Sequence, residues 1–209
     1  MQSWVDSTGT FLHPRATPNP FNHPGYDPNS PKPSVEYIKS VIDRLNPVDV
    51  HLDHYYLHDQ RFGDIANKYI KFKDPNPTHR PKGTISLNWA RYASISMKRN
   101  YEQVNQFKYD YVLVTRYDNQ HIAPLILENF NPNILAVPNV HQVDDLIGDT
   151  CNLGGSDIVD IWSEQINGID KLVEAGTLSL SPHAWMRAWL DYNNISWEYR
   201  GDLGVWTDR

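Results

Sequence analysis

Apolar residues repeat at helical spacing between positions 35 and 45. Val35, Ile38, Val41, Ile42 and Leu45 share one side, and Asn46-Pro47 ends the run. Ser34 stands where an N-cap belongs. The pattern then alternates, Val48, Val50 and Leu52 against Asp49, His51 and Asp53, which predicts a strand with one buried face. Residues 58–84 are polar and irregular, and DPNPTHRPKG reads as a loop, with Ile70 and Phe72 offering a short strand before it.

A second helix is predicted from Leu87, Ala90, Ser94, Met97, Tyr101 and Val104 on one side, with Arg91, Lys98 and Glu102 elsewhere. Tyr109 to Val114 is the most strand-like stretch, and its near-continuous apolar character predicts a central strand covered on both faces. ILAVP at 134–138 predicts another strand. A helix follows over Asp157–Ala175, with Ile158, Ile161, Trp162, Ile166, Ile169 and Leu172 inward, Gly168 weakening its middle and Gly176 stopping it. Pro182 opens a shorter helix to Tyr192 with Trp185, Ala188 and Trp189 inward, and WEYRGDLGVW predicts a terminal strand or hairpin.

Ahead of all this, seven of the 15 prolines fall between Pro14 and Pro33. Each removes a backbone donor and restricts its predecessor, so residues 1–33 read as an extended arm or tail. Helices alternating with strands over 34–209 predict one α/β domain with a mostly parallel sheet flanked by helices.

Composition narrows the function classes. Seven Trp, 12 Tyr and 6 Phe supply enough apolar surface for a core, which argues against wholesale disorder. One cysteine excludes an intramolecular disulfide framework and any multi-thiolate metal site, and fits a reducing compartment. No run approaches the length of a membrane span, and mean hydropathy is −0.59. MQSWVDSTGT has neither the basic nor the apolar region of a signal peptide, so the expectation is a soluble cytoplasmic protein. Net charge of −6 without a Lys/Arg block argues against a nucleic-acid partner. Hydrolase-elbow, P-loop and dinucleotide-binding motifs are absent, and Cys151, in a presumed loop beside Asn152, has no identifiable partner histidine.

Candidate chemistry begins where the central strand ends. Ligands of open α/β sheets bind beyond the carboxyl ends of strands, and Arg116 and Asp118 occupy that place. Two apart on extended chain, they point the same way. A guanidinium beside a carboxylate can hold a diphosphate, directly or through a divalent cation. The bland alternative is that they pair with each other or cap a loop.

The run YEQVNQFKYDYVLVTRYDN resembles the core of GT-A type nucleotide-sugar glycosyltransferases, especially those that build capsular, lipopolysaccharide or viral surface glycans. AVPN at 136–139, VDDLIGD at 143–149, SPHAWMRAWLDYNNI and the Ile-Ser-Trp strand extend the resemblance over residues 34–209. It implies a nucleotide-sugar donor, a carbohydrate acceptor and a Mn²⁺ or Mg²⁺ cofactor. Asp118 would take the place of a metal-binding carboxylate of the family's Asp-x-Asp motif. Arg116 stands where that motif has its first Asp and would supply part of the positive charge. The proline-rich arm stands where such enzymes usually have their first nucleotide-binding strand.

In an inverting transferase a carboxylate takes the acceptor's proton. Asp144 or Asp145 is the candidate base, with Asp157 behind; the alternative is solvated loop acids, Asp149 among them, and a helix first turn built by Ser156 and Asp157. His183, opening a helix near the sheet's end, is a candidate for nucleotide-sugar binding or a plain surface residue. His121, three residues after Asp118, is the candidate second cation ligand. His51, His54 and His58 have a spacing that would suit a metal on a helix, but on the strand that Val48–Leu52 predicts His51 and His54 would face opposite sides, which disfavours a zinc site. Trp4, Trp197 and Trp206 lie outside the expected core faces and would suit sugar stacking, or simply pack. The expected function is sugar transfer to a carbohydrate hydroxyl; the alternative is a non-catalytic carbohydrate-binding or assembly domain with a degenerate form of the fold.

Overall fold

The computed structural model describes residues 35–48, 50, 55–73, 80–115, 119–121, 124–138, 147–148, 150–203 and 205–207. The proline-rich arm and most of the alternating 48–53 stretch, with His51 and His54, lie outside the described residues. The described chain is α/β, a four-stranded mixed sheet flanked by helices.

Helix α1 spans Val35–Leu45 and α2 spans Tyr55–Lys68. Helix α2 replaces part of the irregular region expected over 58–84. Among its described side chains only Phe62 and Ala66 are buried, with Tyr69 just past its end, so its periodicity is faint in the sequence. Ile70–Phe72 is a 3₁₀ turn rather than a strand. Helix α3 runs Pro81–Asn105, starting six residues before the expected Leu87, with Pro81 in its first turn. Gln106 closes it in the left-handed region at φ 55°.

Strand β1 is Val112–Thr115, β2 Asn119–His121, β3 Leu135–Pro138, β4 Cys151–Gly154, β5 Trp197–Arg200 and β6 Val205–Thr207. The main sheet has the order β1-β4-β3-β5, and β2 pairs with β6 in a second sheet. Two pairings of the main sheet are antiparallel (β1 with β4, β4 with β3) and one is parallel (β3 with β5), so it is mixed and not the mostly parallel sheet expected. The chain end is likewise no hairpin: β5 joins the main sheet, while β6 crosses to β2.

Two strands are missing from the sequence reading, the short β2 and β4, of which β4 lies inside the main sheet. Asn and glycine in CNLGG look like loop, yet all four strand residues are buried between two partners. Pairing on both sides overrides a poor intrinsic preference. Cys151 therefore lies in the sheet and not in a loop.

Side chains alternate across the sheet as strand geometry requires. Val112, Val114, Leu135 and Val137 meet Ile95, Val159, Trp162, Met186 and Leu190 on one face. Leu113, Ala136, Cys151 and Leu153 meet Phe130 and Leu203 on the other. Strand β1 is thus covered on both faces, as expected, but it is an edge strand of the main sheet and not the central strand expected. A third cluster lies between helices, around Phe62, Ile85, Leu172, Trp185 and Trp189.

The long helix expected over 157–175 is broken into α4 (Ser156–Ser163), a 3₁₀ turn (Glu164–Ile166) and α5 (Ile169–Glu174). Gly168 sits at the break because Trp189 fills the space its side chain would need, 1.9 Å from an added Cβ. Ile161, expected inward, is exposed, and Gly176 ends α5 at φ 70°. Helix α6, Pro182–Tyr192, has the expected bounds and buries Trp185 and Trp189.

Candidate functional site

Because β4 opposes both β1 and β3, and β5 follows β3, strands β1, β3 and β5 all point one way. Their carboxyl ends share one edge with the start of β4. Thr115 ends β1 and Pro138 ends β3 at that edge, and Ile147-Gly148 come shortly before Cys151, the first residue of β4. Arg116, Asp118, Asp144, Asp145 and Asp149 themselves lie outside the described residues; the strand ends that frame them do not. His121 lies in β2, its backbone paired with Val205.

His183 joins this edge from the first turn of α6. Its Nδ1 lies 2.8 Å from the carbonyl oxygen of Ile147, a residue with no exposed surface. One residue on, the Gly148 carbonyl accepts from Nδ2 of Asn152 at 3.3 Å. Asn152 is buried in β4, and its Oδ1 has no hydrogen-bond partner. Two consecutive carbonyls are thus fixed, one from a helix and one from a strand. Asn152 drew no attention in the sequence because Asn beside Leu-Gly-Gly reads as turn.

Asp157 is placed at the other edge, beyond the carboxyl end of β4. The three residue steps of that strand put it roughly 10 Å or more from the edge just described. It is 82% exposed and paired with the Lys108 ammonium, which holds its carboxyl below the usual carboxylate range; Asp157 raises the Lys108 ammonium in return. The structure does not bring Asp157 together with the returning end of the acidic segment.

That opposite edge carries a buried charge cluster. Lys98 and Glu102 lie off the apolar side that the sequence pattern marks on α3, yet both are buried. The Lys98 ammonium lies 3.0 Å from Glu102, 2.8 Å from Asp160, and donates to the Ser156 hydroxyl. Glu102 Oε1 accepts from the Tyr109 backbone N–H at 2.9 Å and the Ser156 hydroxyl at 2.7 Å. Burial pushes the Glu102 carboxyl up, but these donors together hold it below its ordinary value. Every charge has a partner, so the cluster ties α3, α4 and the start of β1 together. The i,i+4 Lys-Glu spacing is visible in the sequence; its burial is not.

Among the described residues no group of three or more His, Cys, Asp or Glu is arranged to hold a metal ion. The residues whose chemistry would suit a cation are Asp118 and His121: Asp118 lies outside the described residues, and His121 lies in β2, which belongs to the second sheet. One carboxylate, completed by phosphate oxygens, matches the oxygen preference of Mg²⁺ or Mn²⁺. Of the three tryptophans considered for stacking, Trp4 lies outside the described residues and the Trp206 side chain is not described. Trp197 packs on the core, its ring capped by Arg187 at 4.9 Å and edged by Tyr199 at 5.0 Å. No helix among the described residues is long and apolar enough to cross a membrane. Comparison with protein-family models, with curated proteins and with solved structures finds no match to this chain.

Proposed function

We propose that this chain is a glycosyltransferase, moving a sugar from a nucleoside diphosphate donor to a carbohydrate hydroxyl. The observation that supports the reading is the shared direction of β1, β3 and β5: Thr115 and Pro138, the described residues just before Arg116 and the acidic segment, end their strands on the same side of the sheet. In an α/β sheet that edge is where phosphorylated ligands bind.

Arg116 and Asp118 hold the diphosphate. A Mn²⁺ or Mg²⁺ on Asp118, when bound, would supply further neutralisation of the leaving phosphate. The acceptor oxygen forms its bond to the anomeric carbon as the bond from that carbon to the phosphate oxygen breaks. The nucleoside diphosphate leaves with the electron pair, and Asp144 or Asp145 takes the acceptor's proton.

Thermal-shift titration with UDP, GDP, UDP-glucose and GDP-mannose, with and without Mn²⁺, tests this. A ligand at 100 times its Kd adds about 2.7 kcal/mol, a shift of several degrees. Asp118→Ala is expected to abolish it. Absence of any nucleotide shift, or an undiminished shift in Asp118→Ala, overturns the reading. Stabilisation by free sugars alone would instead point to a non-catalytic carbohydrate-binding domain.

A further inference from the structure

Three side chains on neighbouring stretches of α3 and α6 are enclosed yet leave polar atoms without partners. Asn88, Ser181 and Trp185 each have no exposed surface. Among the described residues nothing hydrogen-bonds to Asn88 Nδ2, Ser181 Oγ or Trp185 Nε1. Thr84, one turn before Asn88, donates through Oγ1 to the Leu180 carbonyl at 2.9 Å, which ties the residue ahead of Ser181 to this stretch of α3. Ser181 and Trp185 are one turn apart, the Trp185 N–H donating to the Ser181 carbonyl at 2.9 Å. The Arg91 guanidinium, itself 6% exposed, donates to Asn88 Oδ1 at 3.2 Å, so a cation stands beside the group. Ser181 is the N-cap of α6, but its hydroxyl makes no capping bond, and the positive end of the helix dipole lies at the same place.

We infer that Asn88, Ser181 and Trp185 form a subsite for a phosphoryl group. Orphaned polar atoms cost stability and are rare in a native interior, so three together need a partner that the fold does not supply. The Asn88 amide nitrogen and the Trp185 indole nitrogen only donate, and the Ser181 hydroxyl can donate. Their match is an oxygen that only accepts. The subsite also belongs to the edge already described. Glu102, near the end of α3, meets the Tyr109 N–H and the Ser156 hydroxyl at the amino end of β1. From there the helix runs back along β1, with Ile95 in one cluster with Val112 and Val114. Asn88 lies 14 residues before Glu102, about 21 Å at roughly 1.5 Å per residue. Tyr109 to Thr115 spans at most about 20 Å, so Asn88 comes level with the carboxyl end of β1. This deepens the proposed function and rests on its nucleoside diphosphate donor.

Calorimetric titration of inorganic pyrophosphate, UDP and GDP into wild type, Asn88→Asp, Ser181→Ala and Asp118→Ala tests this. Asn88→Asp keeps the acceptor that Arg91 uses and turns the orphaned donor into an acceptor; Ser181→Ala removes the hydroxyl alone. Each is expected to weaken binding roughly tenfold. Ligand-free Ser181→Ala should keep or raise its Tm, because the hydroxyl it loses is unpartnered. Weakening for pyrophosphate and nucleotide alike assigns any diphosphate; weakening for a nucleotide where pyrophosphate does not bind assigns the diphosphate of a nucleotide. Wild-type affinity in both Asn88→Asp and Ser181→Ala overturns the inference and leaves the donor reading intact. Weakening in those two with undiminished affinity in Asp118→Ala keeps the subsite and overturns the donor reading. If wild type binds none of the three probes, both fall. On wild type alone, the assigned Trp185 indole N–H resonance is expected to move downfield as pyrophosphate or nucleotide binds, and a resonance that stays in place overturns the assignment.

Discussion

Lys98 and Glu102, one helical turn apart on α3, form an ion pair at 3.0 Å with side chains only 2% and 4% exposed. A surface pair of this spacing contributes a few tenths of a kcal/mol. Sealed from water, the same pair is held by its surroundings: Lys98 also meets Asp160 at 2.8 Å, and Glu102 also accepts from Tyr109 and Ser156. Desolvation of both charges is offset only while every partner stays in place.

Lys98→Met should therefore cost about 3 kcal/mol, the lower end of what breaking a buried pair costs. Glu102 keeps two neutral donors, and Asp160 keeps the guanidinium of Arg99 at 3.6 Å, which softens the loss. Urea unfolding with an unchanged m-value measures it. A loss below about 1 kcal/mol would mean the pair is not sealed.

Acid should destabilise the protein partly through Glu102. Its folded carboxyl titrates below the unfolded value, so its contribution is present above about pH 4.3 and is lost as pH falls through the folded value. Glu102→Gln should lower stability at pH 7 and flatten the slope of stability against pH below pH 5. Parallel wild-type and Gln profiles through that window would exclude Glu102 as a source of the acid sensitivity.

Gly168→Ala tests the break between α4 and α5. The backbone there is ordinary for any residue, at φ −92°, so only space is at issue. A Cβ would stand 1.9 Å from Trp189 Cζ3, and the indole is pinned by its Nε1 donating to the Ile161 carbonyl at 2.7 Å. Overpacking of this kind typically costs 1–3 kcal/mol, and a Tm drop of several degrees is expected. An unchanged Tm would show that Trp189 swings aside freely.

Cys151 should be inert to a disulfide reagent until the protein unfolds. Burial in β4 pushes its thiol up to about 11, with the hydrogen bond to Thr115 offsetting only part of that. Thiolate is the reactive form, so the rate of labelling should track global opening and rise with urea. Fast labelling of native protein would place Cys151 at the surface instead.

The legible parts of the fold were those set by local rules. Helix α1 ends at Asn46, φ 43°, just before Pro47, and α6 opens at Pro182; both follow from proline's fixed dihedral and missing donor. β1 and β3 are dense in β-branched or apolar residues and read directly as strands. β4 was not legible, since Asn152, Gly154 and Gly155 disfavour a strand until neighbours pair with it on both sides. Nor was the inner face of α3: Val104 continues the apolar repeat yet is 71% exposed, while Lys98 and Glu102 turn inward. An apolar repeat identifies a buried face only when the neighbours are apolar, and α4 presents Ser156 and Asp160 to this helix.

The candidate site divides the same way. Residue chemistry alone marks Arg116-x-Asp118, the acidic 143–149 stretch and a histidine at a helix start as groups suited to a phosphorylated sugar. Only the tertiary structure decides which strand ends share an edge, because strand direction depends on partners distant in the chain. By inserting β4 antiparallel between β1 and β3, it puts the ends of β1, β3 and β5 on one side with His183 and leaves Asp157 on the other. It also sets Nδ1 of His183 against the carbonyl of Ile147, a residue 36 positions earlier.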